Sequence, residues 1–157
     1  MDPQILIYVT LGGLAIGLLI CVYTDIRHRL IFNAVTAPIA LAAPLYWYAN
    51  GDFTFAGIGV HLLTAACVFA FFATLFRFGA MGGGDVKLFS VLALWFSWVW
   101  VARLIIVASL LGVLVTIIFW GIHKYRGQPG QPRIPYGVAI SLAGLWVAGE
   151  QIFNHFS

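Results

Sequence analysis

The chain has 157 residues, 62% of them hydrophobic and 8% charged, with a mean hydropathy of +1.01 and a formal net charge of +3. Soluble domains carry about 45–50% apolar and about 25% charged residues, so a bilayer has to take part of this apolar surface and an ordinary soluble globule is excluded. The length suits one integral membrane domain over 1–157, and so small a positive excess marks membrane orientation, not nucleic-acid binding.

In chain order, the first apolar run, 4–23, exceeds the usual signal-peptide core of about 7–15 residues and lacks a basic start, so it is expected to be a retained membrane helix. Its Gly13 and Gly17 form a GxxxG pattern that predicts close packing on another helix. The second run, 33–49, contains Pro38 and Pro44, expected to bend it, and ends on Tyr46, Trp47 and Tyr48, an interfacial belt. The third, 55–76, carries His61, expected as a packing residue. A single helix over 86–121 would be roughly 54 Å long against a hydrocarbon core of about 30 Å. The stretch is therefore divided at Arg103 into spans 86–102 and 104–121, with Trp95, Trp98 and Trp100 at the outer end of the first. The sixth run is 136–155. The expected fold is all-α, a polytopic membrane protein with six transmembrane helices.

Charge placement supports this count. With the N-terminus outside, the inner loops hold Arg27, Arg29, Arg77, Lys87, Lys124, Arg126 and Arg133, seven of the eight basic residues, where they orient the chain and meet lipid phosphate. Asp2, Asp52 and Glu150 fall outside, whereas Asp25 and Asp85 both fall at the inner boundary. Cys21 and Cys67 lie in apolar runs without a CxxC or Cys/His cluster, so neither structural zinc nor a disulfide is expected.

The inner acids draw attention for different reasons. Asp25 closes the first helix, where the negative end of the macrodipole disfavours its charge, as suits an acid that carries a proton. The same position also suits an ion pair with Arg29. Asp85 follows Gly79-Ala80-Met81-Gly82-Gly83-Gly84 and opens an apolar helix, so it reads as an N-cap held ionised by the positive end of the dipole. Environments that push two acids apart are what a carboxylate dyad needs to activate water. The bare backbone of Gly82, Gly83 and Gly84 offers room for an extended peptide to dock as an added strand. A phosphate cradle is disfavoured, because the GxxxxGK[ST] spacing is missing and Asp85 would repel phosphate. Lys87, two residues on, is placed to tune the dyad or to pair with a substrate acid.

Three segments carry a family resemblance: Asp25-Ile26-Arg27-His28-Arg29-Leu30-Ile31-Phe32-Asn33, Met81-Gly82-Gly83-Gly84-Asp85-Val86-Lys87-Leu88 and Arg133-Ile134-Pro135-Tyr136-Gly137-Val138-Ala139. They resemble the type IV prepilin peptidase family of membrane aspartic proteases, in its short Tad/Flp-pilus branch: its first-aspartate box, its GxGD box and the loop entering its last span. Phe32 stands where the family usually has proline. The resemblance implies Asp25 and Asp85 as catalytic acids, one base and one acid, with water attacking a scissile carbonyl and no metal or organic cofactor. Substrates would be prepilins and pseudopilin precursors with a short basic leader, cut at the cytoplasmic face of a bacterial inner membrane. Arg29, Asn33, Gly82, Gly83, Gly84 and Lys87 become supporting or substrate-binding residues. Larger family members carry an N-terminal insertion with zinc-type cysteines, associated with N-methylation, which this chain is expected to lack. The rivals are a non-catalytic component of a pilus or secretion system, and a protease of the presenilin or signal-peptide-peptidase kind, which places its first acid within a span after tyrosine. A transporter would place ionisable residues near the midplane, and no Asp, Glu, Lys or Arg lies deep within any span.

Overall fold

The computed structural model describes residues 2–126, 130 and 134–156, with side chains to Phe153. Its six helices are α1 (Pro3–His28), α2 (Asn33–Ala49), α3 (Phe55–Arg77), α4 (Gly83–Trp95), α5 (Trp98–Tyr125) and α6 (Tyr136–Phe156), and the described residues contain no strand. By length and composition, α1, α3, α5 and the 136–153 part of α6 can cross a membrane. The 13 residues of α4 rise only about 20 Å, short of a hydrocarbon core of about 30 Å.

Local chemistry sets most of the ends. Asp2 caps α1 by accepting from the Gln4 amide at 3.0 Å, with Pro3 in the first turn where its missing N–H costs nothing. Thr54 caps α3 through the Gly57 amide at 3.0 Å. That helix stops in a Schellman turn: Gly79 is left-handed at φ 73, the Gly79 amide reaches the Phe76 carbonyl at 2.9 Å, and the Ala80 amide reaches the Leu75 carbonyl at 3.0 Å.

The boundary expected at Arg103 is wrong. The chain breaks at Phe96 and Ser97, both extended, and α5 starts at Trp98. Arg103 lies within α5, its guanidinium 4.6 Å from the Trp100 ring centroid and 3.5 Å from the Glu150 carboxylate. A long basic side chain can run along a helix flank to such partners, so its charge did not require a loop.

The short helix α4 is the centre of the bundle, packed against α2, α3 and α6. Leu88, Leu92 and Ala93 are fully buried, and Phe89 stacks on Phe72 with ring centroids 4.3 Å apart. Two indoles stitch α2 to α4: Trp47 Nε1 donates to the Leu94 carbonyl at 2.7 Å, and Trp95 Nε1 donates to the Ile39 carbonyl at 3.0 Å. Only part of the expected belt faces outward. Tyr46, Trp47 and Trp95 are buried, while Tyr48 and Trp98 face outward. A buried indole needs a partner for its N–H, and Leu94, near the open C-terminal end of α4, supplies one.

His61 is a buried packing residue, stacked on Trp47 at 5.1 Å with Nε2 3.6 Å from Asp52. The GxxxG pattern is half used. A Cβ on Gly17 would lie 2.7 Å from Ile39 Cδ1, which marks the close approach of α1 and α2, whereas Gly13 has nothing within 4 Å. Pro38 and Pro44 both lie inside α2. Outward, α5 exposes Ile106, Leu110, Val113, Leu114 and Ile117, an apolar flank suited to lipid.

Candidate active site

Asp25 stands in the last turn of α1 and Asp85 in the first turn of α4, so the antiparallel course of the helices brings both to one end of the bundle. They line a cavity of about 970 Å³, together with Arg29, Gly82, Gly83, Gly84 and Lys87. Both carboxylates are buried, Asp25 at 5% exposure and Asp85 at 9%.

The environment of Asp25 differs from the one its own helix suggests. The carboxylate reaches the start of α6, where Oδ2 accepts from the Val138 amide at 3.1 Å and the Gly137 amide also bears on it. These are first-turn amides, whose N–H groups have no partner within their helix. The positive end of α6 thus opposes the negative end of α1. Gly137 is what allows this approach: a Cβ there would lie 2.8 Å from Asp25 Oδ2 and 2.8 Å from Ile31 Cδ1. Burial still prevails and raises Asp25 above the usual carboxylate range, as expected for a proton-carrying acid, against the Val138 amide, the Arg29 charge and the Gly137 amide, which favour the anion.

Asp85 is not the N-cap. Gly82 holds that position, extended at φ −74 and ψ 144, and Asp85 is the third helical residue. Its carboxyl turns back to the Gly82 amide, the return half of a capping box. The dipole does not hold Asp85 in the usual carboxylate range. Burial, and then the charge of Asp25, push it up to about 7, against the Gly82 hydrogen bond that favours the anion. A helix-end dipole contributes about 0.3–1 kcal/mol, less than one pKa unit at about 1.36 kcal/mol, so burial and a like charge prevail.

The glycine run also differs from the strand platform expected. Gly83 and Gly84 are helical, and only Gly82 is extended. What the run provides is the absence of side chains. A Cβ would meet Asp85 Oδ2 at 2.9 Å from Gly82, Phe76 Cε2 at 3.3 Å from Gly83 and Ile31 Cβ at 3.2 Å from Gly84. The glycines therefore let α4 close on the turn after α1 and bring the two acids to one cavity.

The supporting residues divide. Lys87 lines the cavity and its Nζ donates to Asn33 Oδ1 at 3.1 Å, so Asn33, outside the lining, ties Lys87 to the start of α2. Asp25 and Arg29 do not meet as a contact ion pair, though the Arg29 charge still favours the Asp25 anion; the Arg29 guanidinium lies over the Phe119 ring, 4.8 Å from its centroid. Arg133 lies outside the described residues, but Ile134 and Tyr136 of the same segment line the cavity. Sequence reasoning missed Gly137 and Val138 as partners of Asp25. The available signal was a glycine at a helix start within the third resembling segment.

Two buried carboxylic acids, brought from separate helices to one cavity at the end of an apolar bundle, define a membrane-type protein with a coupled acid pair. The chain belongs to the type IV leader peptidase family, whose model matches residues 13–117, a stretch that includes both acids. It is 28% identical over 158 residues to a prepilin leader peptidase/N-methyltransferase of Legionella pneumophila, covering 91% of this chain and 51% of that protein. A protein so described from Dickeya chrysanthemi is 27% identical over 124 residues, 76% of this chain and 43% of its own length. Another from Pectobacterium carotovorum subsp. carotovorum is 42% identical over 78 residues, 50% and 26% respectively. The chain thus spans about half the length of the curated relatives it matches, or less. No solved structure matches it significantly.

Proposed function

We propose that this protein is a membrane aspartic endopeptidase that removes the leader from Flp-type prepilins and pseudopilin precursors. The observation that carries the reading is the coupled, buried pair of Asp25 and Asp85 on one cavity. Asp25, raised by burial but with the α6 amides favouring its anion, takes a proton from the attacking water. Asp85, which holds its proton toward neutral pH, gives one to the departing amine. The titration belongs to the pair. Family membership and the names of the relatives support the substrate class.

This mechanism sets a pH profile. Asp85 loses its proton as pH rises through about 7, so leader removal should fall on the alkaline side of that value. At lower pH the second carboxyl becomes protonated and the rate falls again. Cleavage of a prepilin by detergent-purified protein across the pH range is the test, and a rate still rising well above neutrality would overturn Asp85 as the acid.

The chain is taken to cross a bacterial inner membrane with six helices, the acids facing the cytoplasm; the short α4 packs against α2, α3 and α6 more than it meets lipid and so needs no full-length apolar span. Seven of eight basic residues at one side support that orientation. In a protein first freed of Cys21 and Cys67, a cysteine placed at Ala80 should react with a membrane-permeant reagent and not with an impermeant one applied from the periplasm. Labelling by the impermeant reagent would reverse the topology.

A further inference from the structure

Arg29 has three features beyond its charge, which favours the Asp25 anion. Its backbone is left-handed, at φ 56 and ψ 33, the one positive φ outside glycine among the described residues. Side chains adopt that region rarely, and such positions gather at functional sites. Its guanidinium crosses from the end of α1 to lie over Phe119 of α5. One terminal nitrogen, Nη1, is shielded from solvent and has no hydrogen-bond partner. An unpaired buried donor is disfavoured, the more so on a charged group. The fold does not need this side chain to end α1, because that bond, from the Arg29 amide to the Asp25 carbonyl at 3.0 Å, is made by backbone alone. A glycine would take the left-handed turn more readily.

We propose that Arg29, which lines the cavity, is a substrate-binding residue, its guanidinium donating to a backbone carbonyl oxygen of the peptide that lies there beside Asp25 and Asp85. The proposal rests on the peptidase reading above. A carbonyl fits better than a carboxylate, since a third negative charge beside two buried acids would be repelled. Every peptide supplies such an oxygen close to the bond that is cut. The guanidinium rests over the Phe119 ring, so the donor is placed before substrate arrives and little rotamer freedom is lost on binding. Asp25, whose Oδ2 already holds the α6 amide, is left to handle the water.

The test is steady-state leader removal by the full chain in detergent, with KM and kcat determined separately and melting followed in parallel. Arg29→Met should raise KM roughly 10–100-fold, with the loss in kcat/KM carried mainly by KM, as expected for removal of a charge-assisted bond. Arg29→Lys keeps the charge but not the planar fork stacked on Phe119, and should recover only a small part of the loss. Arg29→Gly is the discriminating variant. It should melt no lower than Arg29→Met, because glycine suits the backbone, yet bind substrate as poorly. Arg27→Met, at an exposed position that does not line the cavity, should behave as wild type. A wild-type KM in Arg29→Met, or a KM restored by Arg29→Gly, would show that the side chain serves only the turn and overturn the proposal. A wild-type protein that cleaves no prepilin would overturn the peptidase reading and this proposal with it.

Discussion

Asp25→Asn and Asp85→Asn are each expected to stop leader removal, with turnover falling at least about 10²–10⁴-fold, the contribution of a positioned acid or base. An amide can neither take a proton from the attacking water nor return one to the departing amine, and one carboxyl cannot readily serve both steps. Because the acids act as a unit, the double variant should be about as inactive as either single one. Folding is expected to survive, since asparagine is close in size and shape to the acid it replaces. Melting curves give a second, independent readout. Asp85 is raised in the folded state, so the stability it contributes is fully present below its unfolded pKa, near 4, and is lost as pH rises through about 7. Wild-type protein should therefore lose melting temperature across that window, and Asp85→Asn should lack that part of the loss. A folded variant of either kind that cleaves prepilin at a near-native rate would remove that residue from the mechanism and with it the aspartic assignment.

Gly137→Ala should lower turnover about 10²-fold, the effect of roughly 1 Å of misplacement at a reacting group. The added methyl would lie 2.8 Å from Asp25 Oδ2, 3.0 Å from Asp25 Cγ and 2.8 Å from Ile31 Cδ1. The tip of Ile31 can rotate away. The carboxylate can move only by giving up its bond to the Val138 amide or its place in the cavity. Helix propensity works in the opposite direction, because alanine in place of glycine favours a helix by about 1 kcal/mol. Lost activity in a protein that melts as high as wild type therefore isolates the displaced acid as the cause. Gly149→Ala makes the same change in the same helix with nothing within 4 Å, and should cleave normally. Equal activity in the two variants would show that the close approach of α6 to Asp25 is dispensable.

Much of the bundle was legible because apolar runs in this chain end at strong local signals. The second run, 33–49, coincides with α2, and the third and sixth differ from α3 and α6 by one residue at their C-terminal ends. Thr54, Gly79 and Pro135 stand beside those boundaries. The break between α4 and α5 was misplaced because a single arginine looks like a loop until Trp100 and Glu150 are seen beside it. The burial of Tyr46, Trp47 and Trp95 was hidden for a similar reason: the carbonyls of Leu94 and Ile39 that receive the two indole protons belong to other helices.

The sequence by itself determined the all-helical, membrane-type class, and it singled out Asp25 and Asp85, because hydropathy and charge asymmetry along a chain are local properties that a bilayer sorts directly. Tertiary structure alone decided how those acids are tuned. Considered on their own helices, Asp25 met an unfavourable dipole and Asp85 a favourable one. In the fold, burial raises both: Asp25 against an amide 113 positions away at the start of α6, and Asp85 beside the charge of Asp25. A carboxyl group responds to whatever charge, amide or low-dielectric wall lies within a few ångströms, and for both acids the deciding neighbours come from remote parts of the chain.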